Sequence, residues 1–174
     1  MEFSIYKSLE ILKNTPNVLT SLLHNLSDDW TTNNEGENTW TTKEVLAHLI
    51  VCEETDWLPR VKIIHENGLE KKLISIDMTA HFEIAKCNSL KDLLFQFKQL
   101  RENGIVKLIS YHIQESDLSK TAKHPVLGEV TLQQLIATWV THDLTHIAQI
   151  ARVIAKQNKE NVGAFATFLT ILKS

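Results

Sequence analysis

The sequence predicts an all-α chain folded as a four-helix bundle. Structure breakers are scarce, with 5 Gly and 3 Pro among 174 residues, whereas an all-β domain would need many tight turns. Apolar residues recur at helical spacing in four long segments. Two of those segments also open with a complete capping box, a start signal that belongs to helices alone.

The first helix spans about Ser4 to Leu26, with Ile5, Leu9, Leu12, Val18, Leu19, Leu22 and Leu23 on its apolar stripe, and Pro16 is expected to bend or divide it. Residues 27–39, rich in Asn, Asp and Thr, read as a loop. The second helix starts at the box Thr41-Thr42-Lys43-Glu44, with Trp40 and Val45 as a hydrophobic staple. It runs to about Asn67, stopped by Gly68, and Pro59 predicts a kink near Leu58. Leu69 to Ser89 has no clean period and forms a long connection. The third helix spans about Leu90 to His112. After a second connection, Ile113 to Glu129, the fourth opens with the box Thr131 to Gln134 and the staple Val130 with Leu135, and it continues to about Gln157. A short helix over about Val162 to Leu172 closes the chain. Two long connections among four helices imply that not all sequence neighbours are antiparallel. At this length one domain, residues 1–174, is the expectation.

Charge is nearly balanced, 18 Lys+Arg against 21 Asp+Glu, so no basic stripe points to nucleic acid or anionic lipid. Two cysteines, Cys52 and Cys87, make no disulfide framework and suit a reducing cytoplasmic setting. The N-terminus lacks signal-peptide order, and no apolar run approaches the ~18 residues of a membrane span. There is no phosphate-cradling glycine loop, no G-x-S-x-G and no Cys-x-x-Cys.

The unusual number is 8 His. Two of them, His142 and His146, lie four apart within the fourth helix and project from one face about 40° from each other, so both imidazoles can reach one ion. Chance alone would give roughly 0.4 such pairs, so the spacing needs support. It comes from Leu135, Trp139 and Val153, which share the His142 face and place the pair at the bundle interior. An imidazole buried there needs a partner for each nitrogen.

A bundle-core site takes ligands from facing helices, and His48, among Val45, Leu46, Leu49 and Ile50, is the third candidate. Three neutral imidazoles leave a coordination position open, as in catalytic rather than structural centres. Zinc or nickel suits such a set, and iron or manganese is compatible with it.

Cys52, one turn after His48, is either a fourth ligand or a small buried apolar residue. Glu44 either orients His48 or serves its capping box. Asp143, about 100° round from His142, suits an outer hydrogen-bonding role better than ligation. The segment His142-Asp143-x-x-His146 imitates the zincin H-E-x-x-H, but the shorter Asp would misplace the general base. A di-iron carboxylate centre lacks its Glu-x-x-His. His24, His65, His81, His112 and His124 read as surface or loop residues. The four Trp read as core or pocket wall rather than a stacking platform for bases.

The stretches Trp40-Thr41-Thr42-Lys43-Glu44-Val45-Leu46-Ala47-His48-Leu49, Gly128-Glu129-Val130-Thr131-Leu132, Trp139 and His142-Asp143-Leu144-Thr145-His146-Ile147-Ala148-Gln149-Ile150 together resemble the DinB/YfiT-like superfamily of bacterial metal-binding four-helix bundles. The resemblance implies an up-down-down-up bundle, a metal triad of His48, His142 and His146, and a homodimer. A partner helix would also explain the apolar residues all round the fourth helix, among them Ile136, Val140, Leu144, Ile147, Ala151 and Ile154. Members of the family include transferases using low-molecular-weight thiols and hydrolases. The chain departs from the family at its end, where Val162-Gly163-Ala164-Phe165-Ala166-Thr167-Phe168-Leu169 replaces a Val-Gly-Pro-Trp-like turn, so a substrate cannot be inherited.

These readings converge on a metal-dependent enzyme that activates a thiol or water toward a small-molecule substrate, with a low-molecular-weight thiol as the cosubstrate of the transferase branch. The alternatives are a non-catalytic metal-binding or stress-associated bundle, and a DNA-binding damage-response protein, which the charge balance opposes.

Overall fold

The computed structural model describes residues 2–66 and 71–173. Helix α1, Ile5–Leu23, runs unbroken through Pro16. The 27–39 stretch holds a single helical turn, α2, Asp28–Thr31. Helix α3, Thr42–Thr55, begins at the expected capping box: Thr41 Oγ1 accepts from the Glu44 N–H at 3.2 Å, and Glu44 Oε2 accepts from the Thr41 N–H at 2.7 Å. Glu44 is thus spent on the cap.

The expected kink near Leu58 is a full break two residues earlier. Asp56, at φ −108° and ψ −70°, separates α3 from α4, Trp57–His65. Pro59 has no N–H for the Thr55 carbonyl, and its ring crowds that oxygen, so the helix yields at the residue just after Thr55. The expected stop at Gly68 lies outside the described residues.

The two long connections are more ordered than their sequences suggest. The first carries α5, Ala80–Cys87, too short for its period to stand out. Next comes α6, Leu90–Ser110, capped by Ser89, whose Oγ accepts from the Asp92 N–H. The second connection forms a 3-10 turn, Glu115–Ser119, and a hairpin of β1, Thr121–His124, with β2, Gly128–Thr131. Its register pairs Thr121 with Thr131 and His124 with Gly128. Lys72 bridges Lys123, so the hairpin also ties down the chain that leaves α4. Helix α7, Leu132–Lys156, starts at its predicted box of Thr131 and Gln134. The C-terminal stretch, expected as one short helix, forms two 3-10 turns, Gly163–Phe168 and Thr170–Leu172.

Facing residues fix the helix directions. Leu12 of α1 meets Arg101 of α6, and Leu9 lies beside Leu108, so these helices are antiparallel. Ser4 lies by Gln133 and Thr15 meets Asp143, so α1 and α7 run parallel. His48 meets His142 and Glu53 meets Trp139, so α3 and α7 are antiparallel. The order is up-down-down-up. No helix among the described residues is long and apolar enough to cross a membrane.

The core consists of two apolar clusters separated by a polar layer. Toward one end lie Leu9, Leu12, Trp57, Val61, Leu108, Leu135 and Trp139. Toward the other lie Leu19, Leu23, Leu46, Leu49, Ile50, Leu93, Phe97 and Ile150. Between them Arg101, 1% exposed, donates to both carboxylate oxygens of Asp143, to Glu53 Oε1 at 2.7 Å and to the Leu12 carbonyl at 3.0 Å. Thr15 Oγ1 donates to Asp143 at 2.7 Å, and the Trp139 indole donates to Glu53 at 3.1 Å. Phe97 and Trp139 each place a ring about 5 Å from the guanidinium carbon, so aromatic faces and carboxylates replace its lost water.

Candidate metal centre

Helices α3 and α7 bring His48, His142 and His146 together at the level of the polar layer, with one ring nitrogen from each inside 4.8 Å of the others. The His142 Nε2 lies 3.2 Å from that of His48 and 3.1 Å from that of His146. His48 is 4% and His146 9% exposed, and His142 is half-buried. The spacing of four on α7 puts its two imidazoles one above the other, and the antiparallel α3 presents His48 against them.

Burial, followed by the nearby His146 and His81, lowers the His48 pKa to about 4. Burial, followed by His146 and His48, lowers that of His142 to about 3. Burial also lowers His146, against an opposing hydrogen bond to Gln149. All three are therefore neutral at pH 7. The His146 Nδ1 donates to Gln149 Oε1 at 2.7 Å, which leaves its Nε2 lone pair facing His142. Neutral imidazoles whose ring nitrogens converge at this separation repel unless a cation or proton lies between them.

The donor set fits a divalent ion. Tetrahedral bonds of 2.0–2.1 Å separate two nitrogens by about 3.3 Å, close to the 3.1 and 3.2 Å seen here. His48 Nδ1 and His142 Nδ1 are buried without a partner. Aromatic rings flank the centre: Trp40 packs against His48 and His146, with centroids 5.0 and 6.3 Å away, and Trp57 meets His142 edge-on at 5.0 Å.

One reading from sequence gains detail and another is overturned. Asp143 faces away from the imidazoles and serves the Arg101 layer. His81, expected at the surface or in a loop, is instead fully buried with neither ring nitrogen partnered, and it packs on Trp40 at 4.3 Å and His48 at 5.8 Å between centroids. It escaped notice because it sits on α5, inside a stretch without visible helical period. Of the others, His24 and His112 are exposed, and His124 accepts from the Val126 and Leu127 N–H groups at the hairpin turn. His65 is half-buried at the end of α4, 3.5 Å from Asp117.

The fold is a four-helix bundle, a class in which side chains on opposed helices can build a metal site. Within it, the family model of the DinB superfamily matches residues 11–150, and the chain belongs to that superfamily. YfiT from Bacillus subtilis, described as "a probable metal-dependent hydrolase with an unusual four-helix bundle topology", superposes with a TM-score of 0.74 at 19% identity, over 91% of this chain and 90% of that one. TT2238, described as a four-helix bundle protein, superposes with a TM-score of 0.57 at 16% identity, over 85% and 98%. No curated protein sequence matches the chain significantly.

Proposed function

We propose that the chain is a metal-dependent enzyme whose ion is held by His48, His142 and His146, and which acts on a small-molecule electrophile. The observation that carries this reading is the convergence within 4.8 Å of three neutral imidazoles, two buried and one half-buried. A divalent ion there supplies Lewis-acid chemistry, lowering the pKa of a thiol or water bound beside it so that a nucleophile exists at neutral pH. The description of YfiT as a metal-dependent hydrolase supports the water branch; a thiol transferase uses the same centre with a low-molecular-weight thiol.

The chain's own residues prepare the centre. Burial keeps His48 and His142 unprotonated, so neither has to lose a proton before ligation. Gln149 holds the proton at His146 Nδ1 and so aims its Nε2 inward. Trp40 and Trp57 pack against the imidazoles and shield part of them from water, which strengthens electrostatic interactions on that side.

The test is elemental analysis of protein purified without a histidine tag. One ion per chain is expected, lost in His48→Ala and His142→Ala; no stoichiometric ion, or metal content unchanged in both variants, refutes the reading. For loaded protein, conjugation of a chloro-dinitroaromatic acceptor with bacillithiol, mycothiol or glutathione, compared with ester hydrolysis, separates the two branches.

A further inference from the structure

We propose that His81 is a positioning residue of this centre: its imidazole accepts the Nδ1–H of His48 and so fixes the ring that presents Nε2 to the ion. The inference rests on the reading that the three histidines bind an ion.

Its basis is three orphaned nitrogens on two touching rings. His48 turns Nε2 toward His142, 3.2 Å away, and its Nδ1 is buried without a partner. His81 is 0% exposed, and neither of its ring nitrogens has a partner. The two imidazoles stand nearly perpendicular, at 81°, with centroids 5.8 Å apart, and Trp40 packs on both. Ring atoms lie about 1.2 Å from their centroid, so facing edges at this separation come within about 3.5 Å, and a few tenths of an ångström of side-chain adjustment makes an N–H···N bond. His81 belongs to α5, which packs against α3, so no spacing along a single helix imposes the contact. It is not a further ligand: among the described residues, the donor atoms within 4.8 Å of one another belong to His48, His142 and His146.

The chemistry of ligation asks for such a partner. Binding through Nε2 puts the proton of a neutral imidazole on Nδ1. A ligating histidine donates that N–H to an acceptor, which holds the ring in place and raises the basicity of the ligating nitrogen. Gln149 does this for His146, at 2.7 Å. His48 Nδ1 has no carbonyl or carboxylate in that role. Of the rings that touch His48, Trp40 offers only a donor, while His142 and His146 direct their Nε2 atoms into the centre. A neutral His81 retains one uncommitted lone pair, and it is the acceptor within reach.

Nuclear magnetic resonance of the full chain, labelled with nitrogen-15 at histidine and loaded with zinc, provides the test. A scalar coupling across the N–H···N bond is expected between His48 Nδ1 and one ring nitrogen of His81. Zinc affinity, measured by competition with a chelating dye, should fall at least about tenfold in His81→Phe, which keeps an aromatic ring. It should return to within about threefold of wild type in His81→Asn or His81→Gln, whose amide oxygens stand near the places of the two ring nitrogens. The coupling decides the matter even if no His81 variant folds. Zinc-loaded wild type without the coupling, His81→Phe binding as tightly as wild type, or an equal loss in all three variants overturns the His81 assignment and leaves the three-histidine centre standing. Absence of stoichiometric zinc from the wild type overturns both.

Discussion

Replacing Arg101 with methionine probes the polar layer directly. The guanidinium donates to Asp143 twice, to Glu53 and to the Leu12 carbonyl, and its removal leaves two carboxylates buried without their cation. Breaking a buried ion pair from one side costs about 3–5 kcal/mol. At about 2–4 °C per kcal/mol for a chain of this size, the melting temperature should fall by roughly 6–20 °C.

The loss should also depend on pH. Burial already raises the Glu53 pKa, with Arg101 opposing, and Arg101→Met removes that opposition. A carboxylate whose folded pKa lies above its unfolded value binds more protons when folded, so stability rises as pH falls. The gap between wild type and variant should therefore narrow from pH 7.5 to pH 5.5 in urea titrations followed by circular dichroism. Adding Glu53→Gln and Asp143→Asn should recover much of the loss, because no charge is then left unpaired. A loss below about 1 kcal/mol at pH 7.5, or a gap of equal size at both pH values, would falsify the account of the layer.

Acid should destabilise the ion-free protein through its histidines: His48 titrates near 4 and His142 near 3 when folded, against 6.5 for the free side chain. The unfolded chain binds the extra protons below pH 6.5, so each group costs up to about 1.4 kcal/mol per pH unit there, and His48→Asn should flatten the pH dependence of the urea midpoint. Thr41→Ala removes one arm of the α3 capping box and should cost about 1 kcal/mol by thermal melting, whereas Thr41→Ser should cost little. Glu35 is held by a two-pronged Arg152 contact and by Lys156 at 3.1 Å. Glu35→Ala should therefore free residues 32–39, seen as faster limited proteolysis in that loop, with about 1.5–3 kcal/mol lost.

The long amphipathic helices and both capping boxes were legible because their signals are local: a period of 3.6 and two residues three apart. The convergence of His48 with His142 and His146 was legible for a similar reason, since one spacing of four and one histidine on an apolar face suffice to suggest it. What escaped depends on distant partners. The hairpin is four residues per strand and is ordered by the β1–β2 pairing and the Lys72 bridge rather than by strand pattern. Helix α5 is eight residues long, and its His81 is buried by Trp40 and Phe82 rather than by any stripe of its own. Arg101 carries no local signal that sets it apart from the other charges of α6. Only the packing of four helices gives it Asp143, Glu53 and the Leu12 carbonyl.

The histidine cluster and the polar layer are immediate neighbours along the chain: Cys52, whose sulfur lies against His48 and His142, precedes Glu53, and His142 precedes Asp143. Successive helical residues point about 100° apart, so on each helix one side chain looks into the centre while the next reaches Arg101. Sliding α3 or α7 by a single turn would move its imidazole about 5.4 Å and strand a carboxylate in the same motion. The guanidinium therefore acts as a register key that aligns the two helices, so that the precision of the histidine cluster is set by a layer that begins one residue away from it.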